Sequence, residues 1–317
     1  MLTRVVDDFG TAYVHTTVLH TVTDGFMWIR NSGIDRPVPI GTVPARLRRP
    51  LEDLPGLVRA RVDLPPGPEQ TWRVFSAPGP SSVAKQMLQG EAGTTGPCTL
   101  MAGAGELLSR IHALPVPTEL DLTSPQGPAR LLRWLESGRG PHAASHLHRV
   151  AGRMLGRHRL DLARGWCEDL ARYGRDTPGS LLHGAPGLGV LVPSVSTAPE
   201  GVLLTGEELA VGPAEFDLGW LAGELVEHRA VVPASREEAG RLLDRLLTGY
   251  GPGLDLDAVG RYAALRVLVH VHDFCAYVGW HPSVDTHLEV VADAFDRHGA
   301  ELLDRITGTI GMEDTRR

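Results

Sequence analysis

Residues Leu181–Val192 read LLHGAPGLGVLV, a short apolar run, a His-Gly turn and a second apolar run that ends in three aliphatic residues. Glycine and proline between two apolar runs are typical of a tight loop that connects buried strands. The order of apolar, glycine and proline residues in this stretch is typical of a catalytic loop, yet the stretch contains no carboxylate and no side-chain amide. Two interpretations are open: a catalytic loop that has lost its chemical groups, or an unrelated strand and turn.

The composition of the chain narrows the class of protein to which it belongs. A chain of 317 residues, 42% hydrophobic and 22% charged, predicts a globular protein with two lobes or domains. The net charge of -7 argues against nucleic acid as the main partner. No apolar run is long enough for a membrane helix and the first residues, MLTRVVDDFG, do not resemble a signal peptide, so we expect a cytoplasmic protein without membrane contact. The three scattered cysteines fit reduced thiols.

Basic residues are almost all arginine. Lys85 is the single lysine among 31 basic residues. Any function that requires a lysine must therefore use Lys85 or do without one. The most basic early stretch is Ala45–Arg49, with Arg59 and Arg61 beyond it. It is typical of a solvated face, with a site for an acidic peptide as the alternative.

Strand-like patterns dominate the first 75 residues. Aromatic and β-branched residues fill Thr11–Leu19 and Phe26–Arg30, and Asp24-Gly25 between them is typical of a hairpin turn. From Val43 to Val62 the apolar residues follow a helical period, which two prolines must break or kink. Residues 71–76 predict a short buried strand.

Helical patterns dominate the rest. Ser81 or Ser82 can cap the first of these helices and Gly90 can end it. We predict helices at about residues 83–89, 100–114, 129–136, 142–157, 160–173, 217–227, 235–248, 256–278 and 284–307. A hairpin, LGVLVPS and GVLLTGEELAV, interrupts them at 188–211. This order predicts an α+β, bilobal, protein-kinase-like fold, with a small β-rich lobe at residues 1–75 and a large helical lobe at 76–317.

Three parts of the chain, between about residues 74 and 280, carry a family resemblance. The first is residues 74–88, VFSAPGPSSVAKQML, and the second is residues 105–114, GELLSRIHAL. The third is the pair of segments 183–192, HGAPGLGVLV, and 201–225, GVLLTGEELAVGPAEFDLGWLAGEL. In that order they resemble the hinge with the helix after it, the next helix, and the catalytic and metal loops of the aminoglycoside phosphotransferase family of kinase-fold proteins.

The departures from the family pattern bear on function. Phosphoryl transfer needs a lysine for the phosphates, an acid for the substrate proton, and an asparagine and a second acid for magnesium. Aligned with the family, Ala185 stands at the acceptor acid and Val190, or Gly189 in the other register, at the asparagine. Thr205 stands at the metal-binding acid, with Leu204 or Gly206 in shifted registers, and Arg30 is the nearest substitute for the lysine. The resemblance therefore implies a catalytically degenerate cleft formed by Arg30, Val74, Phe75, Ser76, His183, Ala185, Val190, Thr205, Glu207 and Asp217.

The leading hypothesis is a pseudokinase that binds a partner enzyme or a peptide substrate, with no catalytic residue, metal or cofactor of its own. The alternative is a repurposed kinase-fold enzyme or accessory subunit in actinobacterial modification of ribosomally made peptides of the lanthionine or thioamide type, including thiol addition to dehydrated residues. Either version predicts a protein or peptide partner, such as an active phosphotransferase or a peptide-modifying enzyme. A third hypothesis is an active kinase whose catalytic groups have moved to Glu207, Glu208 or Asp217.

Several polar residues have plainer interpretations. We expect Asp217 to cap the helix after it and to accept backbone hydrogen bonds. Glu207 and Glu208 read as an exposed acidic turn, or as groups that reach the cleft. His142 and His146 have metal-ligand spacing on a helix, but solvated histidines are the simpler interpretation. We assign the region of His270, His272 and Cys275 to the core, and Cys98 to a flexible connector as the best candidate for a reactive thiol.

Overall fold

The computed structural model describes residues 4–21, 25–65, 72–90, 95–196, 198–232 and 236–307. Within these ranges an antiparallel sheet comes first and a mainly helical part follows. The α+β class predicted from the sequence is confirmed.

The first part of the chain combines a sheet with one short helix. Its elements are β1 (Arg4–Gly10), β2 (Val14–Thr21), β3 (Gly25–Ser32), α1 (Ala45–Glu52), β4 (Val58–Val62) and β5 (Arg73–Ala77). Four of these strands form an antiparallel sheet in the order β1-β2-β3-β5. Its inner face carries Val18, Trp28 and Phe75, all of which are buried, as strand alternation requires.

A second, smaller sheet joins the two lobes. The predicted hairpin is present as β7 (Leu191–Pro193) and β8 (Gly201–Thr205), which pair antiparallel. On the other side of β8, β4 pairs in parallel, from Val58 opposite Gly201 to Val62 opposite Thr205. A strand from the first part of the chain thus belongs to the sheet that carries the predicted metal loop.

The larger lobe consists mainly of helices. The helices are α2 (Val83–Gln89), α3 (Thr95–His112), α4 (Gln126–Ser137), α5 (Ala144–Met154), α6 (Gly156–Leu170), α7 (Glu215–Val231), α8 (Arg236–Tyr250), α9 (Leu256–Tyr277), α10 (Val284–Asp296) and α11 (Ala300–Thr307). Two short strands, β6 (Ser180–Leu182) and β9 (Ala210–Gly212), pair antiparallel on either side of the catalytic-loop and metal-loop segments. As predicted, Ser82 caps α2 by accepting from the Lys85 N–H, and Gly90 ends it with a φ of 68°.

Helices α7 and α9 lie unusually close together. A Cβ on Gly219 would come within 2.5 Å of the Tyr262 Cβ, and one on Gly223 within 2.6 Å of the Arg266 Cβ. The two glycines, one helical turn apart, therefore permit the contact. This packing brings the polar residues of α7 next to those of α9.

Some boundaries differ from the predictions. The helical phase from Val43 continues through Pro50 only to Glu52, and residues 58–62 form a strand. Val58 fits both periods, so the apolar pattern alone does not separate them. The prediction also missed β1, RVVDDFG, because two acids interrupt its apolar alternation. Asp24 and Thr71 lie outside the described residues.

Two further corrections concern the helical lobe. Cys98 lies in helix α3, which starts at Thr95, and not in a flexible connector. The predicted helix 284–307 is two helices, because the chain turns at Gly299, whose φ is 91°. None of the described helices combines the length and the apolar composition needed to cross a membrane.

Candidate functional site

The backbone of the catalytic-loop segment is held by one buried carboxylate. Asp217, in the first turn of α7 and fully buried, accepts hydrogen bonds from the His183 N–H at 2.7 Å and the Gly184 N–H at 3.0 Å. His112 Nε2 lies 3.0 Å from the same carboxylate. Gly184 has a φ of 86°, and a Cβ there would lie 1.7 Å from the Glu208 carbonyl oxygen. The expectation that Asp217 accepts backbone hydrogen bonds is confirmed, but the expectation that it caps α7 is wrong: the N-cap is Ala214, without a side-chain hydrogen bond.

The His183 imidazole is a structural link between this loop and β8. Its Nε2 lies 3.0 Å from the Leu204 carbonyl oxygen, which only accepts, so Nε2 carries the proton and donates. Burial lowers the pKa of His183, so the ring is neutral. Its buried Nδ1 has no hydrogen-bond partner among the described residues.

The three positions that the resemblance aligns with the acid and amide groups of a kinase carry no anionic or amide side chain. Thr205 is fully buried and its hydroxyl donates to the Leu203 carbonyl at 2.8 Å. Ala185 and Val190 line a cavity of about 210 Å³ between the lobes. Among the described residues, no group of three His, Cys, Asp or Glu side chains could hold a metal ion. Magnesium dehydrates reluctantly and is bound through carboxylates, so these residues do not fit it.

Arg30 and Glu207 form a two-pronged ion pair across the cleft. Arg30 is on β3, and its Nε and Nη2 both donate to the Glu207 carboxylate, the latter at 3.1 Å. Arg30 Nη1 donates to the Thr16 hydroxyl at 3.1 Å. The side chains of Arg30 and Glu207 are 10% and 13% exposed. The cation of β3 is therefore neutralised by the acid two residues beyond Thr205.

Glu208 joins a second network, which we call the Tyr13 cluster: Tyr13, Arg36, Arg130, Glu208 and Asp273. Glu208 accepts from the Tyr13 hydroxyl at 2.7 Å and from Arg36 at 2.8 Å. Arg130 donates to the Tyr13 oxygen and, at 2.8 Å, to Asp273. The guanidinium groups of Arg36 and Arg130 lie 4.2 and 4.3 Å from the centre of the Tyr13 ring. The interpretation of Glu207 and Glu208 as an exposed acidic turn is therefore wrong.

Electrostatics fix the protonation of this cluster. Burial raises the pKa of Tyr13, and Glu208 raises it further, so the phenol keeps its proton. Burial alone would raise the pKa of Asp273, but the positive charge of Arg130 and the hydrogen bond from His272 hold it well below its usual range. Asp273 is therefore ionised and paired.

The turn between β1 and β2 is docked on the helical lobe. The Ala12 N–H donates to the Tyr277 carbonyl at 2.9 Å, and the Tyr13 and Tyr277 rings lie 4.8 Å apart. This turn is where a kinase carries the glycine-rich loop that covers the phosphates. Here a tyrosine from the turn reaches into the cleft, where its hydroxyl is bonded to Glu208 and Arg130 of the larger lobe.

The space between the two sheets is filled by Trp28. Its side chain is 1% exposed, and Nε1 donates to the Gly79 carbonyl, in the connector between the lobes, at 3.0 Å. Trp28 belongs to one apolar cluster with residues of both sheets: Val18, Phe75, Ala77, Val192, Val202 and Leu204. Because strand side chains alternate, Val74 and Ser76 lie on the face opposite to Phe75. Of these three predicted cleft residues, only Phe75 belongs to this cluster.

Helices α7 and α9 form the far wall of the cavity. Arg266 Nη2 donates to Glu224 at 2.8 Å, and the other Glu224 oxygen accepts from the Leu188 N–H at 2.7 Å. His272 is buried, as predicted, but His270 is not core: its side chain is 43% exposed and lines the cavity. His142 precedes α5 and bonds to Asp35, so it shares no helical face with His146.

Sequence reasoning missed several residues that build the site. They are Tyr13, Trp28, Arg36, Arg130, Glu224, Arg266 and Asp273. Arg130 and Tyr13 are 117 residues apart in the chain, and no local pattern marks them as partners. The two residues come together only when the whole chain has folded.

Comparison with known proteins identifies the fold. No family model and no curated protein match the sequence. Among solved structures, an amicoumacin kinase in complex with AMP-PNP and Ca²⁺ matches over 93% of this chain and 89% of its own, with 12% identity and a TM-score of 0.55. An ethanolamine kinase of Plasmodium vivax matches over 93% of this chain and 81% of its own, with 11% identity and a TM-score of 0.53.

A third neighbour is a spectinomycin phosphotransferase in complex with ADP and spectinomycin. It matches over 96% of this chain and 92% of its own, with 10% identity and a TM-score of 0.50. At such low identity the likeness concerns the fold alone. The chain has the bilobal kinase fold of the antibiotic phosphotransferases and ethanolamine kinases, as the sequence resemblance predicted.

Proposed function

We propose that this protein is a pseudokinase: it keeps the kinase fold, does not transfer phosphate, and acts by binding a protein or peptide partner. The observation that carries the proposal is the Arg30–Glu207 ion pair. Arg30 is the one cation on β3 and Glu207 is the nearest acid of the metal-loop segment, and the two are bonded to each other.

The surrounding residues support this interpretation. Ala185 and Thr205 supply no anionic oxygen, and the Thr205 hydroxyl is already bonded to a carbonyl. Loss of a general base alone typically lowers a rate by about 10² to 10⁴. The metal ligands are missing as well, so the expected loss is greater than that of the base alone.

The interlobe space also argues against a bound nucleotide. Trp28 fills the region between the sheets, and the Tyr13 cluster closes the side where the phosphate-covering loop would move. A nucleotide would have to displace a fully buried indole and separate a network of four charged side chains and a tyrosine. Each of these steps costs free energy, and the four arginines that line the cavity, Arg30, Arg36, Arg130 and Arg266, are already paired with carboxylates.

A nucleotide titration tests the first half of the proposal. The full chain is titrated with ATP and Mg²⁺ by calorimetry, alongside an active antibiotic kinase of the same fold. We expect no heat of binding at millimolar nucleotide, no rise in Tm and no ADP formed. Micromolar binding together with product formation would contradict the proposal.

Partner binding tests the second half. The tagged chain is expressed in its native host, the protein that co-purifies is identified, and the purified pair is measured again. We expect a complex whose Kd is unchanged by ATP and Mg²⁺. The alternative role in modification of ribosomally made peptides predicts a particular partner, a short Ser-, Thr- and Cys-rich precursor or the enzyme that acts on it.

A further inference from the structure

Two adjoining cavities lie on the larger lobe, outside the interlobe cleft. Their volumes are about 400 and 210 Å³, and both are lined by Glu227 of α7, His270 of α9 and His287. We call them together the α7–α9 groove. His270 also lines the interlobe cavity, so the groove begins where that cavity ends.

Glu227 is a buried carboxylate with one oxygen left without a hydrogen bond. The residue is 8% exposed, and its Oε2 is bonded to His270 Nδ1. No described residue donates a hydrogen bond to Oε1, and His287 Nε2 lies 3.6 Å from it. Burial would raise the pKa of Glu227, but the hydrogen bond from His270 and the charge of Arg266 keep it below its usual value, so the group is ionised.

The charge of Glu227 is not matched by a permanent cation. Arg266 also faces the groove, but its Nη2 donates to Glu224. His270 and His287 are charged only when protonated, and the third imidazole of the groove, His228, has a pKa lowered by burial. The permanent charges that face the groove are therefore two carboxylates and one guanidinium, which favours a ligand that brings a positive charge.

The walls of the groove are apolar. On one side of the larger cavity are Ala84, Met87 and Leu88 of α2 with Val231 at the end of α7; the smaller cavity has Val271, Phe274 and Val284. Leu88 is 75% exposed and Val231 is 47% exposed, so both offer free apolar surface at the rim. Pockets of this kind, apolar walls with a few fixed polar groups, are typical of ligand sites.

We propose that the α7–α9 groove binds a short segment of a protein or peptide that presents an arginine or lysine side chain to Glu227 and an apolar side chain to Leu88 and Val231. The choice of a peptide rests on the proposed function, because a chain that only binds needs a surface for its partner. The positive charge and the apolar neighbour follow from the groove itself.

The first test uses two capped tripeptides, N-acetyl-Leu-Arg-Leu-amide and N-acetyl-Leu-Gln-Leu-amide, titrated into the full chain by calorimetry. A charge-assisted hydrogen bond to a partly desolvated carboxylate predicts that the arginine peptide binds about tenfold or more tightly. Equal affinities, or no binding of either peptide at millimolar concentration, would overturn the inference. Agmatine, which has the guanidinium without the leucines, should bind more weakly; equal affinity would overturn the assignment of a peptide.

Variants locate the binding. Glu227→Gln keeps the shape and should remove the preference for arginine, lowering affinity about tenfold, while Leu88→Ser should weaken both peptides. Val195→Ser, at a position 69% exposed and outside the groove, is the matched control and should change neither. If Glu227→Gln does not fold, the affinities of the Leu88→Ser variant for the two peptides still test the inference, because Leu88 is exposed. A failed peptide test with no ATP binding would overturn only this inference, whereas ATP turnover would overturn the proposed function alone.

Discussion

Arg30 and Glu207 are paired across the cleft: Arg30 Nε donates to one Glu207 carboxylate oxygen and Nη2 to the other, and about a tenth of each side chain is exposed. The pair links β3 of the smaller lobe to the segment that follows β8 in the larger lobe, so the cation of β3 serves to join the lobes.

The ion pair predicts a strong asymmetry between single and double variants. Arg30→Met or Glu207→Leu alone leaves a buried charge without its partner and should lower the free energy of unfolding by about 3–5 kcal/mol. The double variant should lose much less, because no charge is stranded. Urea unfolding of the wild type, the two single variants and the double variant measures the coupling energy. If the loss of unfolding free energy in the double variant equals the sum of the two single losses, the pair is not coupled.

Because Trp28 fills the space between the two sheets, its removal should leave a cavity that indole can refill. Trp28→Ala should cost about 3–5 kcal/mol and leave an apolar space with the Gly79 carbonyl at its edge. Indole, which restores both the ring and the N–H, should raise the Tm of this variant and leave the wild type unchanged.

Trp280, which is 38% exposed, provides the comparison for that experiment. Trp280→Ala should lose less stability and show no indole effect. If indole stabilises both variants alike, the effect is not due to the space between the sheets.

The Tyr13 hydroxyl predicts how firmly the lobes are joined. Tyr13→Phe keeps the ring between the two guanidinium groups but removes the oxygen that donates to Glu208 and accepts from Arg130, at a cost of about 1–3 kcal/mol. Hydrogen exchange at Ala12, whose N–H bonds to Tyr277, should become faster than in the wild type. Unchanged exchange there would mean that the hydroxyl does not hold the turn.

His183 predicts a pH dependence near neutrality. Its folded pKa is lowered by complete burial, so below the ordinary value of 6.5 the unfolded chain binds a proton that the folded chain does not. Stability should therefore fall as pH decreases below about 6.5, by up to about 1.4 kcal/mol per pH unit from this group. The contribution is fully present above that pH.

The matched variant for this measurement is His183→Gln, whose amide can still donate to the Leu204 carbonyl. The difference in unfolding free energy between wild type and variant should narrow from pH 7.5 to 5.5. A difference that stays constant with pH would show that His183 is not the group responsible.

Sequence order and local chemistry were enough for much of the fold. The cap at Ser82, the stop at Gly90 and the hairpin around β7 and β8 depend on neighbours in the chain, and all three are present. That Asp217 accepts backbone hydrogen bonds was also predictable, but its donors lie in the distant loop at His183 and Gly184 and not in α7.

The polar network of the cleft was not predictable in the same way. In the sequence, Glu208 looks like one half of an exposed acidic pair. In the fold it contacts Tyr13, Arg36 and Arg130, which come from distant segments. Buried charges depend on long-range partners, and a single sequence does not reveal which arginine reaches which acid. For the same reason His270 was assigned to the core, although one face of α9 opens onto a cavity.

The parallel pairing of β4 with β8 gives the molecule a mechanical property. Because one sheet spans both lobes, hinge opening would shear main-chain hydrogen bonds as well as side-chain contacts. We expect a stiff body whose surface is already in its binding shape, so that a partner loses little affinity to conformational ordering of this chain.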